Sequence, residues 1–411
     1  MKRYKWYTVF LLAALTLSLQ SCLDIGSDNP FQSKDTGKNG QIGVNSTQQA
    51  TFSGKIYFTL NRNLYVLDGH LNLKKLTQGM DVRNPAVSPD GKWIAFANFF
   101  QNYSDLMLMP TSGGAPQTLV SGNGQYLPNP ASPMGAPKST FLWLAQPAWN
   151  ADSNHLLFVS DIDKLSIGPC NVDDFLLDPL ILSTSITNPT QQPQTITYST
   201  FGDGGLRDPS YRPGHSDQVI YTSYSYGPNE SQNIQINLID PNAIANHPGL
   251  YQPGSTSCES DPGVPITQSG DQNLEPSFFP DGNTILYVRR EDATHMGLYT
   301  MPVPEGVTGD PNNPAFNPNS PTNLTKGLSM YSLSHKLFDG LYVSQPIWSP
   351  DGTHILYYSF VNNSFDIWIA AITKNAKTGA ISIKPNSQVQ LTNAQGQLDA
   401  DSRACWTPVE E

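Results

Sequence analysis

A thirteen-residue phrase at residues 345–357, Gln-Pro-Ile-Trp-Ser-Pro-Asp-Gly-Thr-His-Ile-Leu-Tyr, constrains the fold of this chain more than any other feature, because it recurs. The phrase reads as a hairpin. Ile347 and Trp348 begin a strand. Ser-Pro-Asp-Gly at 349–352 closes a turn in which Pro presets φ and Gly accepts a positive φ, and Ile355, Leu356 and Tyr357 supply a β-rich return strand. Copies lie at residues 84–96 (NPAVSPDGKWIAF), 146–158 (QPAWNADSNHLLF), 208–221 (DPSYRPGHSDQVIY) and 275–287 (EPSFFPDGNTILY). A sixth opening half, RACWTP at 403–408, has no return strand after it.

Aligning Val87, Trp149, Tyr211, Phe278, Trp348 and Trp406 as one position gives intervals of 62, 62, 67, 70 and 58 residues. Each interval is too long for one hairpin and accommodates about four strands with their loops. Self-similarity at a near-constant period, with a repeated turn and an aromatic slot, points to propeller blades. The missing return strand is found at the other end of the sequence. Lys55, Ile56, Tyr57 and Phe58 match residues 284–287, and Leu64, Tyr65, Val66 and Leu67 follow as a third strand. The expected fold is therefore all-β: a six-bladed β-propeller of four-stranded antiparallel blades. Its N- and C-terminal strands close the ring in one shared blade, which leaves no long open edge.

The repeated pattern begins with an acidic or amide residue, then Pro, any residue, an aromatic and Ser-Pro-Asp-Gly. With the Leu-Thr endings at 76–77, 324–325 and 391–392, it resembles the TolB-type propeller repeat over residues 52–411. The second and third copies depart from Ser-Pro-Asp-Gly in the turn. Propellers of that type bind an envelope lipoprotein through the channel mouth, so the resemblance implies an envelope protein or peptide partner. The soluble member of that family carries an α/β domain before its propeller. Here a different leader stands in that place, and the trans-envelope coupling role is not carried over.

Residues 1–21 combine basic Lys2, Arg3 and Lys5 with an apolar run at 6–19 and a small Ser21 before Cys22, the pattern of a signal peptide. The sequence Leu19-Gln20-Ser21-Cys22 resembles a bacterial lipobox, which implies lipidation of Cys22. Several acyl chains, at about 0.8 kcal/mol per buried CH₂, anchor a protein stably where one does not. Leu23 after the cysteine resembles outer-membrane sorting, so the expected location is the cell envelope, lipid-anchored to the outer membrane. Residues 22–51 are rich in Ser, Gly, Asn, Asp and Gln and read as a flexible tether with an end-to-end distance of roughly 30 Å.

With 23 basic against 34 acidic residues, a net charge of −11 and no long basic run after the leader, neither nucleic acid nor an anionic lipid surface is an attractive partner. Cys405 occupies a repeat position and reads as a structural thiol. Cys170 and Cys258 lie in insertions of neighbouring blades and are candidates for a disulfide if their loops emerge on one face. There is no zinc-ligand spacing, so no metal and no cofactor is expected.

The first residues of the repeats, Asn84, Gln146, Asp208, Glu275, Gln345 and Arg403, lead into the innermost strands and are expected to ring the channel mouth as a binding site. Asp81, Asp203, Asp271 and Asp399 lie just ahead of them and are candidates for the same rim. Long insertions at 121–145 and 326–344, placed after blades 1 and 4, are the other candidates for binding. His247, His295 and His335 lie outside the repeat with no nucleophile signature nearby, no GxSxG occurs, and no residues remain for a hydrolase domain, so no catalytic residue is assigned. The chain reads as a monomeric binding or assembly module. The alternatives are an envelope glycan lyase or hydrolase, or a ligand-binding surface lipoprotein, with its site in the channel.

Overall fold

The structure, a computed structural model, describes residues 31–35, 41–47, 51–128, 138–165, 179–189, 192–199, 204–226, 231–246, 261–268, 270–304, 307–309 and 334–409. The signal peptide and Cys22, Cys170, Cys258 and Asp203, and the Leu-Thr pair at 324–325, lie outside the described residues.

Each second strand of the repeat is a continuous apolar run, such as Ile355 to Tyr358, rather than an alternation, which requires burial on both faces. Six blades stacked side by side meet that requirement. Blade 1 is built from Val82–Val87, Trp93–Phe99, Ser104–Pro110 and Gln117–Val120, and blade 2 from Leu144–Trp149, His155–Ser160, Leu180–Ser185 and Gln194–Thr197. Blade 3 comprises Leu206–Arg212, His215–Tyr226, Gln232–Ile239 and Val264–Pro265; blade 4 comprises Asn273–Phe278, Thr284–Arg290, His295–Pro302 and His335–Leu341. In blade 5, Ser344–Trp348, His354–Val361 and Ser364–Lys374 are followed by two short strands, Ile381–Ile383 and Val389–Gln390, that share the outer position. Blade 6 is the split one: Cys405–Thr407 pairs with Lys55–Leu60, which pairs with Asn63–Asp68 and then Leu73–Lys75. In its register Ile56 faces Trp406 and Tyr57 faces Cys405, so the closure read from the two ends of the sequence holds.

The described core divides into six apolar clusters, one in each gap between blades. Successive residues of one strand serve different gaps. Leu156 and Phe158 pack toward blade 1, whereas Leu157 and Val159 pack toward blade 3, as the two-residue period of a strand demands. The aromatic slot adds a polar bond to this packing. The indole N–H of Trp149 donates to the Ala86 carbonyl and that of Trp348 to the Ser277 carbonyl, each on the preceding blade, at 2.9 and 3.3 Å.

The Ser-Pro-Asp-Gly turns form as the sequence implies. Ser349 Oγ donates to Asp351 at 2.6 Å and accepts from the His354 N–H at 2.8 Å, and Gly352 adopts φ +65°. A β-carbon at Gly352 would also stand 2.6 Å from the Phe279 ring, so this position excludes side chains on two counts.

Two expectations are corrected. Residues 22–51 do not form a coil throughout. Phe31–Asp35 pairs with Gln41–Asn45, and the latter continues onto Thr392–Asn393 at the outer edge beside blade 5. Ile42 and Val44, two positions apart, point to one side and are fully buried in the gap between blades 5 and 6. The second correction concerns 326–344. Its residues His335–Leu341 are the outer strand of blade 4, so only residues 342 and 343 of that span connect blade 4 to blade 5.

Candidate functional site

Because strands alternate in direction, the start of every innermost strand and the connections between blades share one face, and the Ser-Pro-Asp-Gly turns share the other. The six residues singled out from the repeats all lie at the first face, and Asn84, Gln146, Asp208 and Arg403 among them line one cavity of about 260 Å³ on the axis. They do not form a solvated rim. Asn84, Asp208, Glu275 and Gln345 are buried, and Gln146 and Arg403 are half-buried.

What places them is a strained bulge repeated five times. Asn84, Gln146, Asp208, Glu275 and Gln345 all have φ between 52° and 57°, and the pairing of the first two strands slips at each of them. A side chain with a β-carbon in that region costs about 1–2 kcal/mol and persists only where neighbours enforce it. The neighbours here are side chains, in most cases from the blade before. The Asp208 N–H donates to Gln146 Oε1 at 2.8 Å, the Glu275 N–H to Thr222 Oγ at 3.0 Å, the Gln345 N–H to Glu275 Oε2 at 2.5 Å and the Asn84 N–H to Ser402 Oγ at 2.8 Å. Thr222 Oγ in turn donates to Asp208 Oδ2 at 3.1 Å, and Gln345 Nε2 to Glu275 Oε1 at 3.2 Å. The result is a collar that staples each of these blades to the next.

Arg403 supplies the one collar cation. Its Nε donates to Gln345 Oε1 at 3.2 Å, one terminal nitrogen to the Pro276 carbonyl at 3.3 Å, and the other stands 3.6 Å from Asp208 Oδ1 without a hydrogen bond. Burial raises the Glu275 carboxyl to about 7, the nearby Asp208 charge adds to the rise, and Arg403 and the Gln345 N–H oppose it. The cavity beyond the collar is apolar, walled by Pro85, Pro147, Pro209 and Pro276 and, farther along, by Phe278, Trp348 and Trp406.

The candidates ahead of the collar stand outside it. Asp81 and Asp401 hold Arg83 at 3.0 and 2.5 Å, Asp399 and Asp401 hold Arg62 at 3.4 and 3.0 Å, and Asp271 stands 3.5 Å from Arg289. They form two separate groups of ion pairs, one where blade 6 meets blade 1 and one at blade 4. Thr222 and Ser402 were not singled out from the sequence, since a hydroxyl that accepts one backbone N–H leaves no pattern. Cys405 is a free thiol whose sulfur accepts the Val87 N–H at 3.4 Å.

No family model matches this chain, and no curated protein matches it. Among solved structures it is similar to TolB from Acinetobacter baumannii, with 17% identity over 89% of this chain and 68% of that one and a TM-score of 0.53. The chain has the TolB-type six-bladed propeller fold. A putative TolB from Agrobacterium tumefaciens matches at 16% identity over 74% of this chain and 85% of that one, TM-score 0.43. An oligogalacturonate lyase in complex with manganese matches at 14% identity over 86% and 84%, TM-score 0.44. In this TolB-type propeller the collar is the feature to which every blade contributes one repeat residue, and the described part of the 121–145 connection lies on the same face.

Proposed function

We propose that this chain is an extracytoplasmic, lipid-anchored propeller that binds a protein or peptide partner of the cell envelope on its collar face, without catalysing a reaction. One observation carries the reading. Among the described residues, the large apolar side chains Tyr226, Leu341 and Tyr342 are exposed on that face at blades 3 to 5, and Val409 alone is exposed on the other. Exposed aromatic residues concentrated on one face of a soluble scaffold mark an interaction surface. The cavity volume sets the mode. At about 260 Å³ it is smaller than the roughly 300–1,000 Å³ of pockets that enclose a whole small ligand, so a partner inserts one or two side chains and rests its remainder on the loops. The acylated Cys22 holds this module at the membrane.

The collar is also where a partner gains specificity, because Arg403, its one cation, lines the cavity together with Asp208. Alanine at Arg403, Glu275 and Asp208 together is expected to weaken capture of envelope partners at least tenfold, read by crosslinking in cells followed by mass spectrometry. A Cys22→Ala chain serves as the unanchored control and is expected to leave the membrane fraction. Undiminished capture by the triple variant, in a chain that still folds, overturns the collar as the recognition element.

A further inference from the structure

The turn between the second and third strands of blade 1 and the connection from blade 1 to blade 2 build a group of aromatic rings that the collar does not use. The Phe100 N–H donates to the Tyr103 carbonyl and closes the turn, and Phe100 stacks on Tyr103 with centroids 4.5 Å apart and planes at 19°. Tyr103 stacks on Phe141 at 5.8 Å and 20°, and Tyr126 meets Phe141 edge-on at 5.3 Å. Beneath them Phe99 stacks on Trp143 and carries the Arg83 guanidinium at 4.4 Å. The lower pair fills the joint between the two blades. The upper rings are different: Phe100 is 42% exposed and Tyr126 59% exposed. They terminate the stack at its two ends, with Tyr103 and Phe141 between them.

The described parts of the connection that carries Tyr126 are held by backbone bonds. Tyr126 faces Ser139 and Leu127 faces Lys138 in a short hairpin, the Thr140 N–H donates to the Gln125 carbonyl and the Leu142 N–H to the Gly122 carbonyl. Asp105, buried in blade 1, accepts from the Ser121 hydroxyl and the Gly122 N–H at 2.8 and 2.9 Å and fixes the start of the connection. The rings are thus pre-organised, and a ligand that stacks on them does not have to order them first.

Most polar groups at the rim are amides: Gln101, Asn102, Asn123 and Gln125 are all exposed, no carboxylate stands among them, and one cation, Lys138, faces Leu127 in the hairpin. Rings with exposed faces, edged mainly by uncharged groups that both donate and accept, match the chemistry of a neutral sugar. Its C–H face lies on an aromatic ring and its hydroxyls exchange hydrogen bonds with amides. A protein partner at a hot spot instead calls for a fully desolvated apolar pocket, whereas the end rings of this stack stand open to solvent. Nucleic acid is opposed by the net charge of −11.

We propose that the Phe100–Tyr103–Phe141–Tyr126 stack is a binding site for a neutral glycan chain, separate from the collar and its partner. Two exposed rings separated by two intervening ones engage two sugars of one chain, so affinity rises with chain length. The test uses the full chain in detergent and three neutral probes, chitohexaose, cellohexaose and xylohexaose, with the corresponding disaccharides, by calorimetry and NMR titration. At least one hexasaccharide is expected to bind, its disaccharide at least tenfold more weakly. Phe100→Ala and Tyr126→Ala are each expected to weaken binding about fivefold to tenfold, with Phe100→Tyr and Tyr126→Phe retaining it. The Arg403→Ala chain is expected to bind the glycan unchanged, which separates failure of this site from failure of the collar reading. Absence of binding to all three hexasaccharides, equal binding by the ring variants, or a protein captured through these rings in place of a glycan overturns the proposal.

Discussion

Replacing Trp406 by Ala is expected to lower stability by about 3–5 kcal/mol and to open the ring. The side chain is buried between blades 5 and 6, meets Phe52 edge-on at 5.6 Å, donates its indole N–H to the Ser53 carbonyl at 2.8 Å and lies opposite Ile56. Large-to-small substitutions of buried aromatics cost about 3–5 kcal/mol from lost transfer energy and the cavity left behind. Position sharpens the effect. The closing strand Cys405–Thr407 has only three residues, and Trp406 anchors it, whereas the equivalent Trp348 sits in a blade continuous in sequence. Both Trp406→Ala and Trp348→Ala are therefore expected to lower the denaturation midpoint, but only the former is expected to expose 55–68 to limited proteolysis. A loss below about 1 kcal/mol, or equal protection of these strands in the two variants, contradicts closure through the split blade.

Stability is expected to fall as pH rises from 5 to 8. The Glu275 carboxyl is raised from 4.5 to about 7 in the fold, mainly by burial and then by Asp208. A carboxyl whose folded value is raised binds more protons in the native than in the unfolded state. Its contribution is complete below about 4.5 and is lost as pH rises toward 7. A shift of that size corresponds to about 3 kcal/mol at full burial. Asp366, raised from 3.8 to about 6 by burial in blade 5, adds in the same direction at lower pH. Glu275→Gln keeps an acceptor for the Gln345 N–H and a neutral group beside Asp208, so it is expected to flatten the decline between pH 6 and 8 and leave the part due to Asp366 below 6. Chemical denaturation across this range decides it. A wild-type midpoint that rises with pH through this window runs against the buried collar.

The repeat made the hub readable because each blade must supply an innermost strand, a turn and an apolar second strand, and Tyr57 and Trp406 identify their shared blade by the same reasoning. The strain in the collar is a different matter. Gln, Asp, Glu and Asn before Pro carry no signal for a positive φ, since the conformation is imposed by acceptors such as Gln146 Oε1 and Glu275 Oε2 on another blade. Burial of the collar follows from those bonds and was equally hidden. His335–Leu341 was missed for a simpler reason: an outer strand is mostly exposed, so its residues need not be apolar. The hairpin at 31–45 rests on two residues, Ile42 and Val44, within an otherwise polar stretch. The stacking of Phe100, Tyr103, Phe141 and Tyr126 joins residues from two segments, so no single stretch of the sequence carries its pattern.

The most direct test of the collar face as the docking face is site-specific photocrosslinking in living cells. A photoreactive residue is placed at Tyr226 or Tyr342 on the collar face, or at Lys92 in a Ser-Pro-Asp-Gly turn on the opposite face. Adducts with one and the same envelope protein are expected from Tyr226 and Tyr342, lost when Arg403 is also replaced by Ala, with none from Lys92. Adducts confined to Lys92, or collar-face adducts indifferent to Arg403, would contradict it.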